Sequence, residues 1–185
     1  MQPLGKAFKD AEASTGEFQR LPAGGYVARI TAVEDADDKL YLRITFDIAE
    51  GQFKAFYSDE WSKDHPYAHQ FVRSYKETAL GMFKGFLKAI DESNGTQFEA
   101  QAEKGLREQE LVGKVVGIII GYEEYMSNRG ELQQRTRVTG VRSVDVIREG
   151  RFNVPELKRL ENRPQDAPVS PVEGFHGVRD ADLPF

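Results

Sequence analysis

The stretch KLYLRITFDI, residues 39–48, alternates apolar and polar side chains without a break: Leu40, Leu42, Ile44, Phe46 and Ile48 against Tyr41, Arg43, Thr45 and Asp47. A two-residue period of that length fits an extended strand with one face buried and the other in water, because successive strand side chains point to opposite faces. Residues 26–36 repeat the pattern more loosely, with Tyr26, Ala28 and Ile30 on one side and Arg29 and Thr31 on the other. Asp37 and Asp38 between the two runs supply a turn, so the chain has at least one antiparallel hairpin that must cover a hydrophobic face.

The flanking segments extend that hairpin. Residues 1–22 show no sustained period and read as an arm that ends at the turn LPAGG, where Pro22, Gly24 and Gly25 punctuate the start of the first strand. After the Glu50-Gly51 turn, QFKAFYS predicts a third short strand with aromatics on both faces, Phe53 and Tyr57 against Phe56. From residue 71 to 90 the period changes. Val72, Tyr75, Ala79, Met82, Phe83, Phe86, Leu87 and Ile90 follow a three-then-four spacing, which predicts one amphipathic helix stopped by Asn94-Gly95. Gly81 and Gly85 inside it cost helix propensity and point to a close approach by another backbone. Residues 98–110 are polar and read as a loop with a short helical turn. KVVGIIIGY, residues 114–122, is apolar on both faces, as a strand covered on both sides is. A turn at residues 127–130 leads into a long strand over 132–147, bulged or broken near Gly140, and a short helix is expected from Pro155 with Leu157 and Leu160 as anchors.

Three strands, a helix, then a two-strand hairpin is the connectivity of a five-stranded OB barrel whose helix lies between strands 3 and 4 and plugs one end. Other small β barrels with one helix share it. The expected fold is thus mainly β with one helix, organised as an arm (1–22), a barrel domain (23–162) and a disordered acidic tail (163–185). The tail assignment rests on its prolines and aspartates and its few apolar residues. With 39% hydrophobic and 30% charged residues the composition is that of an ordinary globular chain. No apolar run approaches the roughly 20 residues of a membrane span, and the N-terminus lacks a signal-peptide pattern, so no membrane partner and a cytoplasmic location are expected.

The absence of cysteine excludes disulfides, thiolate zinc sites and cysteine nucleophiles. His65 and His69 stand four apart near Asp59, Glu60 and Asp64, but Pro66 between them disfavours a single helical turn presenting both. Acid-x-lysine pairs of the nuclease kind occur as Asp37/Lys39 in a turn and Glu156/Lys158 after a proline, neither on a strand. There is no phosphate-binding glycine loop, dinucleotide fingerprint or nucleophile elbow. The expectation is a non-enzyme without cofactor or metal.

The last six residues, DADLPF, resemble the acidic C-terminal tip of bacterial and phage single-stranded-DNA-binding proteins, which ends in aspartates, an isoleucine or leucine, proline and phenylalanine. That resemblance implies an OB body that coats unpaired DNA during replication or recombination, in a bacterial host cell, and a tip that recruits replication and repair proteins. The partner-binding residues it implies are Asp180, Asp182, Leu183, Pro184 and Phe185. LPAGGY and the wide loop before the helix are similar to phage-encoded members. The tip departs from the family pattern in separating its two aspartates by Ala181 and in having a linker poor in glycine and glutamine. The chemistry is consistent on its own terms: a terminal phenylalanine offers ring and carboxylate to one pocket, and Pro184 lowers the ordering cost.

Single-strand binders need cations for phosphates and flat rings for bases. The net charge of −5 argues against an anionic ligand, but the charge is polarised. Residues 129–159 carry eight basic and four acidic side chains, net +4, whereas residues 31–60 carry three and eight, net −5. The candidate DNA-binding residues are Tyr41 and Arg43 on the wet face of the second strand, Lys54 and Phe56 on the third, and Trp61 in the following loop. Arg129, Arg135 and Arg137 on the last hairpin join them, with Tyr122 and Tyr125 expected at the opposite end of that arm. Each has a plain structural reading as a solvated strand face, a half-buried tyrosine or a core-capping tryptophan. The two-faced apolar strand admits a homo-oligomer interface. Two other functions fit the same pattern: a single-strand-annealing accessory protein for recombination, and a phage assembly module with an OB-like barrel and no DNA affinity.

Overall fold

The strict alternation of residues 39–48 is realised as β2 (Tyr41–Ile48), in which Leu42, Ile44, Phe46 and Ile48 are buried and the intervening residues are not. Leu40 falls outside the strand, at a positive φ of 58° just after a turn formed by Asp37–Lys39, and is exposed. The structure, a computed structural model, describes residues 20–160. Most of the expected arm, the tail and the tip residues Asp180, Asp182, Leu183, Pro184 and Phe185 lie outside the described residues.

Five strands form one antiparallel sheet in the order β3-β2-β1-β4-β5, from β1 (Gly24–Ala36), β2, β3 (Gln70–Ser74), β4 (Val115–Met126) and β5 (Leu132–Arg142). β1 is inward at Ala28 and Ile30 but then at Val33, because the register with β2 shifts between Ile30 and Ala32 and Thr31 becomes an extra residue. A bulge changes which parity faces the core, and this explains why the period in residues 26–36 reads loosely. The break expected near Gly140 is present as a second register shift, opposite Ile119 and Ile120, with Thr139 the extra residue and its hydroxyl donating to the Ile119 carbonyl.

Five expectations are corrected. QFKAFYS is not a strand: residues 51–57 form turns in which Ala55 takes φ 60° and its N–H reaches the Ile48 carbonyl, while Asp47 accepts from the Ile48 and Tyr57 N–H groups. Phe53, Phe56 and Tyr57 carry aromatics on both faces because they form a cluster, with Phe56 4.9 Å from Tyr57 and 6.0 Å from Phe53. The third strand is instead Gln70–Ser74, which the helical spacing absorbs; α2 starts only at Leu80 and runs to Asn94, with Gly95 as a left-handed cap. Strand pairing of Phe71 with Ile44 is a long-range contact that outweighs the local period. The helix is also not unique, since α1 (Glu60–Asp64), α3 (Phe98–Gln101) and α4 (Val144–Arg148) accompany it. The long strand over 132–147 stops at Arg142, and no helix begins at Pro155, where Lys158 instead makes a parallel bridge to Glu123.

The main core lies between the sheet and α2, whose Phe86, Leu87, Ala89 and Ile90 pack among Ile30, Ile44, Phe46, Phe71, Val116, Ile118 and Ile120. Asn94 clips the helix to β4: its Nδ2 donates to the Val115 carbonyl and its Oδ1 accepts from the Val115 N–H. A smaller cluster on the other face of β4 unites Val27, Ile119, Val144 and Ile147, so the expectation that this strand is covered on both sides holds. Gly117 makes that second layer possible, because a Cβ there would sit 2.4 Å from Ile147 Cγ1. Around Gly81 and Gly85, by contrast, nothing lies within 4 Å of an added Cβ, which removes the expected backbone approach.

Candidate nucleic-acid interface

β5 turns Arg135 and Arg137 to the face away from the main core, because they alternate with Thr136 and Val138 and the latter packs inward. On β4 the same face carries Glu123 and Tyr125, paired with Arg135 and Gln133 in the ladder. The four side chains form one unit. Arg135 binds Glu123 Oε1 at 2.7 Å and Arg137 binds Glu123 Oε2 at 2.8 Å. The Arg135 guanidinium also sits 5.2 Å from the centroid of Tyr125, whose hydroxyl donates to Gln133 Oε1. Burial by itself would raise the Glu123 carboxyl, but the hydrogen bonds and charges of Arg135 and then Arg137 hold it below the ordinary carboxylate range. Tyr125 therefore stands beside Arg135, not at the far end of the arm.

A second unit of the same kind lies on β2. Arg43 binds Glu34 across the β1/β2 ladder at 2.7 Å and donates to the Tyr41 hydroxyl at 3.3 Å, with its guanidinium 6.0 Å from the Tyr41 ring centroid. Glu34 first, then Tyr41, keep the Arg43 guanidinium more basic than usual. The neighbour of this face is Val72 on β3, 52% exposed, rather than Lys54 and Phe56. Lys54 is exposed in the turns after β2, and Phe56 is half-buried against the core. Trp61 belongs to α1, and Arg129 is exposed in the β4–β5 turn. The Tyr122 hydroxyl accepts from the Ala23 N–H and contacts the Leu21 carbonyl, which ties it to the start of the first strand.

On the core-facing side of β3, opposite Leu42 in the ladder, stands a residue hidden from the sequence by its helical spacing. Arg73 of β3 rests on the ring of Phe71 at 4.7 Å and near that of Phe86 at 5.9 Å, and its NH1 donates to the Val72 carbonyl. Burial, reinforced by the charge of Arg137, lowers its guanidinium to about 10. Beyond Arg137 a cavity of about 320 Å³ is bordered by Arg142 and Lys158 as well, with Glu156 its one acid. The signal for Lys158 was the basic count of residues 129–159, but only the bridge to Glu123 places it there.

The basic stretch does not form one uninterrupted patch. Arg148 is held by Glu50 and Arg151 by Glu149, both on the segment that follows β5. Among the described residues no group of three or more histidines and carboxylates is placed to hold a metal ion. His69 is buried, stacked on Tyr57 at 4.8 Å, and Asp59 is engaged by the N–H and hydroxyl of Ser62. No described helix is long and apolar enough to cross a membrane.

What the face offers chemically is guanidinium donors beside tyrosine rings. No protein-family model matches the chain, and no curated protein matches it.

Proposed function

We propose that the protein binds single-stranded DNA with little sequence preference, as a non-enzymatic phage-type protein of replication or recombination. The observation that carries this reading is the repetition of one motif, a tyrosine ring with a guanidinium against it, at Tyr41/Arg43 and at Tyr125/Arg135. Such units supply a stacking face and a phosphate donor together, the two needs of a binder that tracks a flexible strand. The strand order β3-β2-β1-β4-β5, with a helix between β3 and β4, is also that of an OB barrel, which supports the reading. The tip DADLPF supports recruitment of replication and repair proteins in the cytoplasm of a bacterial host.

Fluorescence anisotropy of labelled oligo-dT against a duplex of equal length tests the reading. Tight binding to the single strand that falls steeply with salt is expected, and Tyr41→Ala with Arg43→Ala should weaken it, each lost stacked base costing about 1–3 kcal/mol. Failure to bind oligo-dT in dilute buffer refutes the function. Deleting residues 180–185 should abolish capture of replication proteins and leave DNA affinity equal or higher; retained capture refutes the recruiting role.

A further inference from the structure

Leu80, Phe83, Lys84 and Leu87 follow the spacing that puts them on one face of α2, and that face borders a trough of about 630 Å³. The opposite wall is the segment 99–108, which contributes Ala102 and Leu106 to an apolar floor completed by Leu42. This wall is held at both ends. Asp91 of α2 accepts from the N–H groups of Phe98 and Glu99 and Phe98 is buried, while at the far end Gln109 donates to the Val33 carbonyl and Leu111 is buried. The trough is preformed, so an occupant has little ordering to impose on it. Leu80 on its lip is 48% exposed. Five carboxylates form the rim, from Asp35, Asp37, Glu99, Glu103 and Glu108, against the single cation Lys84, which Glu99 binds at 2.9 Å. Such a rim repels a polynucleotide and attracts an apolar group accompanied by positive charge.

We propose that this trough docks a basic peptide segment of a partner protein, in which a leucine or phenylalanine anchor is flanked by lysines or arginines. The anchor packs on Leu80, Phe83 and Leu106, and the cations meet Glu103 and Glu108 on one side and Asp37 on the other. The chain's own flanks do not have this charge: residues 1–19 carry two lysines against three acids, and residues 161–185 carry two arginines against five. A polarity opposite to that of the tip DADLPF means that the two docking elements select different segments. Leu42 reaches the trough from β2, whereas Tyr41 and Arg43 beside it point to the other face of the sheet. A docked peptide therefore leaves the tyrosine–arginine face open, and the inference does not depend on the DNA-binding reading.

The test titrates the full chain into a fluorescein-labelled peptide, GKKLFKLKKG, followed by anisotropy. Affinity should fall about tenfold or more when the peptide's leucines and phenylalanine become alanine at unchanged charge, the loss expected for withdrawing a buried apolar anchor. Leu80→Ser, at an exposed position, and Glu103→Lys with Glu108→Lys should each weaken binding to a similar extent at unchanged circular dichroism. Glu131→Lys with Glu156→Lys makes the same change in net charge outside the trough and should alter affinity by no more than about twofold. With p-benzoylphenylalanine in place of the peptide's phenylalanine, irradiation should give cross-links on residues 80–87 and 102–108. Equal losses from the two charge reversals, indifference to the alanine peptide, or cross-links scattered over the surface would reduce the effect to general attraction by an acidic protein and overturn the proposal. A trough filled by a second copy overturns it as well, and shows in sedimentation as a dimer that Leu80→Ser dissociates.

Discussion

Replacing Glu123 by glutamine changes one charge at the centre of the proposed DNA track while keeping the side chain's shape. In the parent, two guanidinium groups share one carboxylate at 2.7 and 2.8 Å, so the trio carries net +1; in Glu123→Gln it carries +2. The cost to folding is limited to about 1–2 kcal/mol: Glu123 is only 13% exposed, but Arg135 and Arg137 are 52% and 45% exposed and stay solvated when the carboxylate becomes an amide that still accepts. If phosphates lie over the trio, one more counterion is displaced per bound site and the slope of log K against log salt steepens by about 0.7. Between about 50 and 200 mM salt this is an additional loss of about 2.6-fold, starting from tighter binding at the dilute end. Anisotropy titrations of oligo-dT across that range read the slope directly. Glu92→Gln is the control: it makes the same change in net charge on α2, where Glu92 stands 3.9 Å from Lys88, away from both tyrosine–arginine units. Equal slopes for the two variants would mean that only total charge matters and would refute the placement of the strand.

The glycines make opposite predictions. Gly117→Ala should destabilise by about 1–3 kcal/mol in urea unfolding, since the new Cβ meets Ile147 at 2.4 Å and the carbonyls of Ser143 and Arg142 at 2.8 and 2.9 Å, and backbone cannot swing aside. Gly85→Ala, in open space on α2, should stabilise by about 0.5–1 kcal/mol; a loss would show that an approach there has been overlooked. His69 is buried with its Nδ1 unpartnered, and burial lowers its pKa against the smaller opposing pull of Asp47 and Asp59. The unfolded chain therefore binds the proton first as pH falls through about 6.5, and stability should drop by at most about 1.4 kcal/mol per pH unit until the folded form also protonates. His69→Phe, which keeps a ring on Tyr57, should flatten that arm of the curve; parallel curves for the two proteins would remove His69 as its source.

What the sequence disclosed follows the range of the forces involved. β2 was legible because its alternation is both a local and a tertiary fact, and so were the Asp37–Asp38 turn, the Gly95 cap and the doubly covered β4. β3 was not, because Phe71 and Val72 sit at a spacing that continues into α2 and only pairing with Arg43 and Ile44 makes them a strand. The aromatic pattern of QFKAFYS is that of ring packing, which has no fixed period. At the candidate site, Arg135 and Arg137 followed from alternation, whereas Glu123 as their shared partner required the β4–β5 register, and Arg73 was concealed by the misassigned helix. Phe56 and Tyr122 carry the residue types of a DNA face but are occupied by packing and by the Leu21 and Ala23 backbone.

Tyr122 holds the described chain at both of its limits: its hydroxyl meets Leu21 and Ala23, and its carbonyl accepts the Lys158 N–H. Tension applied through either flank, by a partner or by an optical trap, is consequently delivered to the same point of β4 and loads its hydrogen bonds in shear. The outermost strand pairs are bypassed, so unzipping from an edge is not the route by which such a load would open the protein.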